Sequence, residues 1–315
     1  MLTPKENLLR TIRFQDAERV PFGLESAKFF FHRDSTFFWS GSDPAAREWT
    51  DAWGVRYKYA DAQACHAYPV SHPLESWEQF ENFPFPDPSD PALFAEAARQ
   101  IKEVDRKNHL IHFNNAAFIF VRTWLLRGME NALTDMLENP ALYEALLEKI
   151  FTYQETIVKN TMAFKPDIMQ FGDDAGTTTA LMMNPALWRK WIKPRLKKNF
   201  DICKNAGCIV VFHCCGRIEE ILDDIIEIGV DVLNPLQAGA NDLVAVKKKA
   251  SGKLALYGGI DAHTVATAAP QTVAELTRQV LGILGEGGGY IAFPDQSLPF
   301  PPENVEAMKR VILYE

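Results

Sequence analysis

The run Ile209-Val-Val-Phe-His-Cys-Cys-Gly216 is β-branched and aromatic until it stops at His213, Cys214, Cys215 and Gly216. An unbroken apolar run of this length predicts a strand buried on both faces, carrying polar groups at its C-terminal end. The run His109-Leu-Ile-His-Phe-Asn-Asn115 repeats the pattern, and so do residues 167–174, 230–235, 254–261 and 290–295. Between them, apolar residues recur at helical spacing over 92–107, 123–138, 140–164, 185–206, 218–228, 242–250, 272–284 and 303–313. At the N-terminus, Thr3-Pro-Lys-Glu6 predicts a capped helix through residues 7–14, followed by a short strand candidate at Arg19-Val-Pro-Phe22.

Residues 25–61 are dense in aromatics without a regular period (Phe29, Phe30, Phe31, Phe37, Phe38, Trp39, Trp49, Trp53, Tyr57, Tyr59). This stretch reads as loops and short helices capping a scaffold, its rings forming a lid core or lining a substrate pocket. Phe83-Pro-Phe-Pro-Asp-Pro88 is a rigid connector.

Alternation of strand and helix from residue 109 onward predicts a parallel α/β protein. Polar residues recur just after the strands, namely Asn114, Asp173, His213, Asn234, Asp261 and Asp295. A closed eight-stranded barrel would gather those positions on one face, whereas an open sheet would spread them along a line. No glycine-rich nucleotide fingerprint follows any strand, and Gly287-Gly-Gly289 precedes a strand and reads as a turn. The expected fold is therefore an α/β (β/α)8 TIM barrel with an N-terminal aromatic-rich capping segment. It forms one domain over 1–315, with the cap and first elements in 1–108 and the main barrel repeats in 109–315.

Composition narrows the function. Hydrophobic content of 47% and charged content of 23% are ordinary for a soluble globular enzyme. The 33 basic and 41 acidic residues give −8, which argues against nucleic acid as a partner. Five scattered cysteines, an odd number that includes an adjacent pair, do not make a disulfide framework. A reducing, cytoplasmic setting is expected, with no signal peptide. No apolar run approaches the ~20 residues that span a bilayer.

His213 and Cys215, two apart on a strand, share a face and can reach one point. Imidazole and thiolate are preferred zinc donors, and zinc needs at least one more protein ligand. The same residues also read as an ordinary buried strand end. Asp173 and Asp174 end a strand together; Asp173, nearer the strand, is the candidate for proton handling, and Asp174 reads equally as a cap or solvated charge. Asn114, Asn234 and Asp261 are candidate substrate-binding groups, with Asp261 reading equally as a helix cap and His112 sharing strand parity with Asn114. Cys65-His66 resembles a ligand pair in an irregular region. His32, His72, His109 and His263 read as ordinary histidines, and Lys247–Lys249 as a solvated helix face.

Further motifs lie in order along the chain: Thr3-Pro-Lys-Glu-Asn7, Arg19-Val-Pro21, Trp49-Thr-Asp-Ala-Trp-Gly54, Gly172-Asp-Asp174, Asn184-Pro185 and Ile192-Lys-Pro-Arg195. They continue through His213-Cys-Cys-Gly216, Asp231-Val-Leu-Asn-Pro235, Gly258-Gly-Ile-Asp261, Gly288-Gly-Tyr-Ile-Ala-Phe-Pro294 and Glu303-Asn304. On these the chain resembles the uroporphyrinogen decarboxylase superfamily, and more narrowly its cobalamin-dependent methyltransferase branch. The resemblance implies the (β/α)8 barrel. It does not imply the decarboxylase activity, because decarboxylases carry an N-terminal Arg-Gln-Ala-Gly-Arg segment for the tetrapyrrole carboxylates. Pro21-Phe-Gly-Leu-Glu-Ser-Ala27 stands near that place and lacks both arginines.

Within the methyltransferase branch the resemblance implies zinc on His213 and Cys215, with a third ligand, often Cys, after the last strand. Phe293-Pro-Asp-Gln-Ser-Leu298 offers Asp295 or Gln296 there and no cysteine. Asp295 is taken as the third ligand; Cys214 is disfavoured because strand neighbours point to opposite faces. One thiolate and one carboxylate leave a metal more electrophilic than two thiolates. The expected activity is a zinc-dependent transfer of a methyl group from a small methylated compound to a corrinoid (cobalamin) on a separate protein. The N-terminal aromatics suggest an apolar donor such as a methoxylated aromatic. The alternatives are a decarboxylase of a uroporphyrinogen-like or smaller acid, and a non-catalytic corrinoid- or ligand-binding barrel. A homodimer is an expectation from barrels of this kind.

Overall fold

The structure is a computed structural model that describes residues 1–35, 47–60 and 67–315. Cys65, His66, Phe37, Phe38 and Trp39 lie outside the described residues. The N-terminal capping box forms: Thr3 Oγ1 accepts the Glu6 amide and Glu6 Oε2 accepts the Thr3 amide, 2.9 Å away. It starts helix α1 (Pro4–Ile12). The first wall strand, β1 (Ala27–Phe31), falls inside the aromatic stretch expected to be loops. An antiparallel ribbon follows, built from β2 (Glu48–Thr50), β3 (Arg56–Tyr59) and β4 (Ala67–Ser71) in that order. Trp49 stacks on Tyr57 across it, with centroids 5.5 Å apart.

After α2 (Ala95–Ile101) the chain alternates as expected. The elements are β5 (Leu110–Asn115), α3 (Phe120–Arg127), α4 (Met129–Glu138), α5 (Pro140–Met162), β6 (Ile168–Gly172), α6 (Pro185–Trp191), α7 (Lys193–Asn205) and β7 (Ile209–His213). Then come α8 (Leu222–Glu227), β8 (Val232–Leu236), α9 (Leu243–Ala250), β9 (Ala255–Ile260), α10 (Ala262–Thr267), α11 (Pro270–Leu284), β10 (Tyr290–Pro294) and α12 (Pro302–Tyr314). Two expected long helices are divided. The segment 123–138 breaks at Gly128, whose φ of 80° is outside the helical region, and the segment 185–206 breaks ahead of Pro194, which cannot donate to the preceding turn.

Seven strands pair in parallel in the order β1-β5-β6-β7-β8-β9-β10. The run Arg19–Phe22, expected to be a strand, contributes a single bridge from Phe22 to Ala292. Gly23 donates to the Ala292 carbonyl at 2.9 Å and Ala292 donates to the Pro21 carbonyl at 3.0 Å, so the last strand is tied to the residues just ahead of the first. The sheet thus curls back on its own start, an α/β barrel with seven laddered strands among the described residues.

Strand parity divides the apolar residues into two cores. Leu110, Ile168, Ile209, Val232 and Ala255 each open their strand and meet inside the barrel with Val211 and Ile291. Leu8 and Ile12 of α1 join that cluster and close the floor at the N-terminal ends of the strands. The alternate residues, among them Ile111, Phe113, Met169, Phe171, Val210, Phe212 and Leu256, pack outward under the helices. Among the described residues no helix is long and apolar enough to cross a membrane.

Candidate functional site

The inner face set by the floor residues continues upward through His112 and Asn114 on β5, Gln170 and Gly172 on β6, His213 on β7 and Asn234 on β8. His213 ends its strand opposite Gly172 and Asn234. Its Nδ1 lies 2.8 Å from Asn234 Oδ1, which accepts the Nδ1 proton. In the neutral ring the Nε2 lone pair then lies on the side of Cys215 and Asp174, free for a metal that displaces the proton. Cys215 Sγ stands 3.4 Å from that Nε2, and Asp174 Oδ1 stands 3.8 Å from it. The three ligand atoms lie within 4.8 Å of one another.

Backbone packing holds this trio. The loops after β6 and β7 touch so closely that a Cβ on Gly216 would lie 2.3 Å from the Gly176 carbonyl carbon, and Gly216 has φ of 85°. The Arg217 amide donates to the Thr177 carbonyl at 2.7 Å, and the Cys215 amide donates to Asp174 Oδ1 at 2.8 Å. From the far side, Gln237 Oε1 accepts the Gly216 amide, and Asn241 bridges the Gly216 carbonyl and the Ile218 amide at 3.0 Å each. Burial works against a charged His213 ring, yet the hydrogen bond and charge of Cys215, with Asp174 and Asn234 adding, raise it to about 9.

Each expected site residue has a definite place. Cys214 faces away, buried, with the Ala175 amide directed at its sulfur (3.3 Å), and burial pushes its thiol well up. Asp173, expected to handle protons, is turned from the mouth. Its two oxygens accept the amides of Ile119, Phe120 and Val121 at 2.8–3.1 Å, which caps α3. Burial raises Asp173 to about 7 against those three amides. Asp295, expected as the third metal ligand, is likewise occupied: it accepts the Ala238 amide at 3.0 Å and the Ala262 amide at 2.9 Å, and burial raises its pKa. Its neighbour Gln296 is the one that reaches the trio, with Nε2 3.6 Å from Cys215 Sγ. Asp261 caps α10 by accepting the Thr264 amide and hydroxyl at 2.7 and 2.6 Å. Asn114 remains on the inner face, half-buried, and its Oδ1 has no hydrogen-bond partner.

The carboxylate beside His213 and Cys215 is thus Asp174, which sequence reasoning set aside as a cap or solvated charge. The signal was present in the parity of its own strand, since Ile168, Gln170, Gly172 and Asp174 alternate onto one face. Gln237 and Asn241 carried no comparable signal, because their role depends on a loop from another strand.

The donor set fits zinc. Bonds of 2.0–2.3 Å to N, S and O in a tetrahedron place neighbouring donors about 3.5 Å apart. The observed 3.4 and 3.8 Å bracket that spacing.

A family model described as Uroporphyrinogen decarboxylase (URO-D) matches residues 50–312. A solved methyltransferase from Methanosarcina mazei superposes with a TM-score of 0.71 at 15% identity, over 99% of this chain and 98% of that one. A dihydropteroate synthase from Anaplasma phagocytophilum matches more loosely, with a TM-score of 0.36 at 14% identity over 52% of this chain and 67% of that one. The first is a likeness of fold along the whole chain. No curated protein matches.

Proposed function

The chain belongs to the uroporphyrinogen decarboxylase family, and from that premise we propose that it is a zinc-dependent methyltransferase that moves a methyl group from a small methylated compound to a corrinoid on a separate protein. One observation carries the reading: an imidazole, a thiol and a carboxylate converge at the C-terminal mouth of the barrel. The whole-length likeness in fold to a methyltransferase supports it. The decarboxylase alternative asks for cations that grip carboxylates. No inward position of the seven strands holds Lys or Arg, and the N-terminal arginines of decarboxylases are absent.

His213 Nε2, Cys215 Sγ and Asp174 would hold the metal, with Asp174 in the place first assigned to Asp295. When bound there, zinc supplies Lewis acidity that lowers the cost of negative charge on the leaving atom of the methyl donor. The chain's own part is positional. Asn234 fixes the His213 tautomer, and the hydrogen bond from the Cys215 backbone N–H to Asp174 Oδ1 fixes the thiol relative to the carboxylate. Gln296 lies against the sulfur, where an amide N–H to a thiolate reduces its donor strength. Asp173 and Asp295 pin the loops and helices around the mouth and leave proton traffic to other groups.

Metal analysis of purified wild type, His213→Ala, Asp174→Asn and Asp295→Asn tests the assignment, with methyl transfer to cob(I)alamin as the activity readout. Near-stoichiometric zinc is expected in wild type and Asp295→Asn, none in His213→Ala, and weakened retention in Asp174→Asn. A wild type that takes up no zinc when supplied with it, or that releases carbon dioxide from a carboxylate substrate, would defeat the proposal.

A further inference from the structure

The outer side of the barrel floor carries a cavity that the chemistry of the mouth does not use. Leu8 and Ile12 of α1 turn into the floor, whereas Leu9 and Arg13 line a cavity of about 510 Å3. Met162 at the end of α5 and Ile209 at the start of β7 complete its apolar walls. A second cavity of about 390 Å3 adjoins it, sharing Arg13, Gly207 and Ile209. A Cβ on Gly207 would meet nothing within 4 Å, so the space beside the turn from α7 to β7 is open. Both volumes lie in the range of small-molecule sites.

Charge sets this place apart. The larger cavity gathers Arg13, Arg106 and Lys165 around one carboxylate, Asp167, in a chain whose formal net charge is −8. Asp167 is already engaged, since its Oδ2 accepts the Ile111 amide at 2.7 Å. Arg106 donates to the carbonyls of Phe164 and Lys165 at 2.7 and 2.9 Å, neutral acceptors that leave its charge unmatched. The side chains of Arg13 and Lys165, both exposed, have no hydrogen bond or ion pair among the described residues. On the helical faces, by contrast, exposed Arg99 pairs with Glu96 and Arg278 with Glu315. In the second cavity Asp231 takes Lys204, and Lys253 adds a further cation. Like charges gathered in one cavity repel, and a bound anion offsets that repulsion.

We propose that the larger floor cavity binds a phosphate ester, its phosphate among Arg13, Arg106 and Lys165 and its apolar part against Leu9, Met162 and Ile209. Three cations against one carboxylate leave an excess of two. A phosphate monoester brings about −1.5 to −2 at neutral pH, and a carboxylate brings only one negative charge. Guanidinium groups present paired N–H donors that match phosphate oxygens. The cavity lies at the opposite end of the strands from the His213–Cys215–Asp174 trio, so its binding is independent of the methyl-transfer reading.

Calorimetric titration of the full chain with phenyl phosphate, inorganic phosphate, benzoate and hexaglutamate tests the site. It is run on wild type and on His213→Ala, in which no metal on His213 can hold a phosphate at the mouth. Phenyl phosphate is expected to bind at one site in His213→Ala, about tenfold or more tighter than benzoate and about threefold or more tighter than inorganic phosphate. Its affinity should fall as salt rises. Arg13→Gln and Lys165→Gln should each weaken it about tenfold without lowering the melting temperature. Lys248→Gln, which removes an exposed cation outside the cavity, should leave it unchanged. No binding of phenyl phosphate in His213→Ala, an affinity untouched by both groove variants, or an equal loss in Lys248→Gln would each overturn the proposal. Inorganic phosphate or benzoate binding as tightly as the ester would do the same. Tighter binding of hexaglutamate would overturn it in favour of an acidic segment of another protein. A wild type that takes up no zinc but binds phenyl phosphate at the floor would sink the proposed reaction and leave this site standing.

Discussion

At the scale of single residues, the site is governed by which polar atoms are already occupied. Asp173 and Asp174 are chemically identical neighbours, yet three backbone amides claim the first and the second faces an imidazole and a thiol. Asn234 would act on a metal at the trio only through His213, whose Nδ1 proton it accepts at 2.8 Å. Asn234→Ala should therefore lower zinc affinity about 10–100-fold, measured by chelator competition, while the zinc-free melting temperature moves little. Unchanged affinity would mean that the tautomer is set elsewhere. His112 gives a pH signature. Its folded-state pKa, about 3, lies below the ordinary 6.5, so its neutral form favours folding fully above pH 6.5. That contribution drains away as pH falls from 6.5 toward 3, at an upper slope of about 1.4 kcal/mol per pH unit. Asp173, raised to about 7, has the opposite sign and loses its contribution as pH rises from 3.8. The two are separated by difference: melting curves of His112→Gln against wild type should shift in the variant's favour between pH 6.5 and 4. A constant difference would mean that His112 is not held neutral.

At the scale of elements, the decisive contact is loop on loop. Gly216 and Gly207 both have left-handed φ, 85° and 75°, so alanine strains the backbone at either. They differ in surroundings: nothing lies within 4 Å of a Cβ at Gly207, whereas at Gly216 it would overlap the Gly176 backbone. Gly207→Ala should cost about 1 kcal/mol in urea unfolding and keep zinc. Gly216→Ala should cost more and lose zinc, because separating the loops parts Asp174 from Cys215. Equal behaviour of the two variants would remove the loop contact from the account. The strands that carry these loops were legible, since β5 to β10 are apolar runs with abrupt polar ends. β1 was not: Lys28-Phe-Phe-Phe31 sits in a stretch of rings whose spacing fits no period, and only its pairing with β5 makes it a wall strand. That Asp174 rather than Asp295 lies beside His213 and Cys215 has a related reason. Past Pro294 the alternation of β10 no longer holds, so Asp295 goes to the amides of Ala238 and Ala262 and Gln296 comes to the sulfur.

At the scale of the molecule, the barrel separates the end that holds it together from the end that works. Leu8 of α1 is fully buried among the first residues of five strands, at the floor. The His213–Cys215–Asp174 trio sits at the other end, past the last residue of β6 and on and beyond the last residue of β7. Leu8→Ala removes three carbon atoms from a packed cluster and should cost about 2–5 kcal/mol, a fall of several degrees or more in melting temperature. Because the floor and the mouth lie at opposite ends of the strands, zinc stoichiometry and affinity should stay at wild-type values well below the melting transition. Asn234→Ala should show the mirror image, weak zinc in a protein that melts almost normally. The two variants form a crossed pair, in which each property is read in a background where the other is spared. If Leu8→Ala lost zinc while still folded by circular dichroism, floor and mouth would be coupled, and metal binding would report on closure of the whole barrel rather than on its mouth.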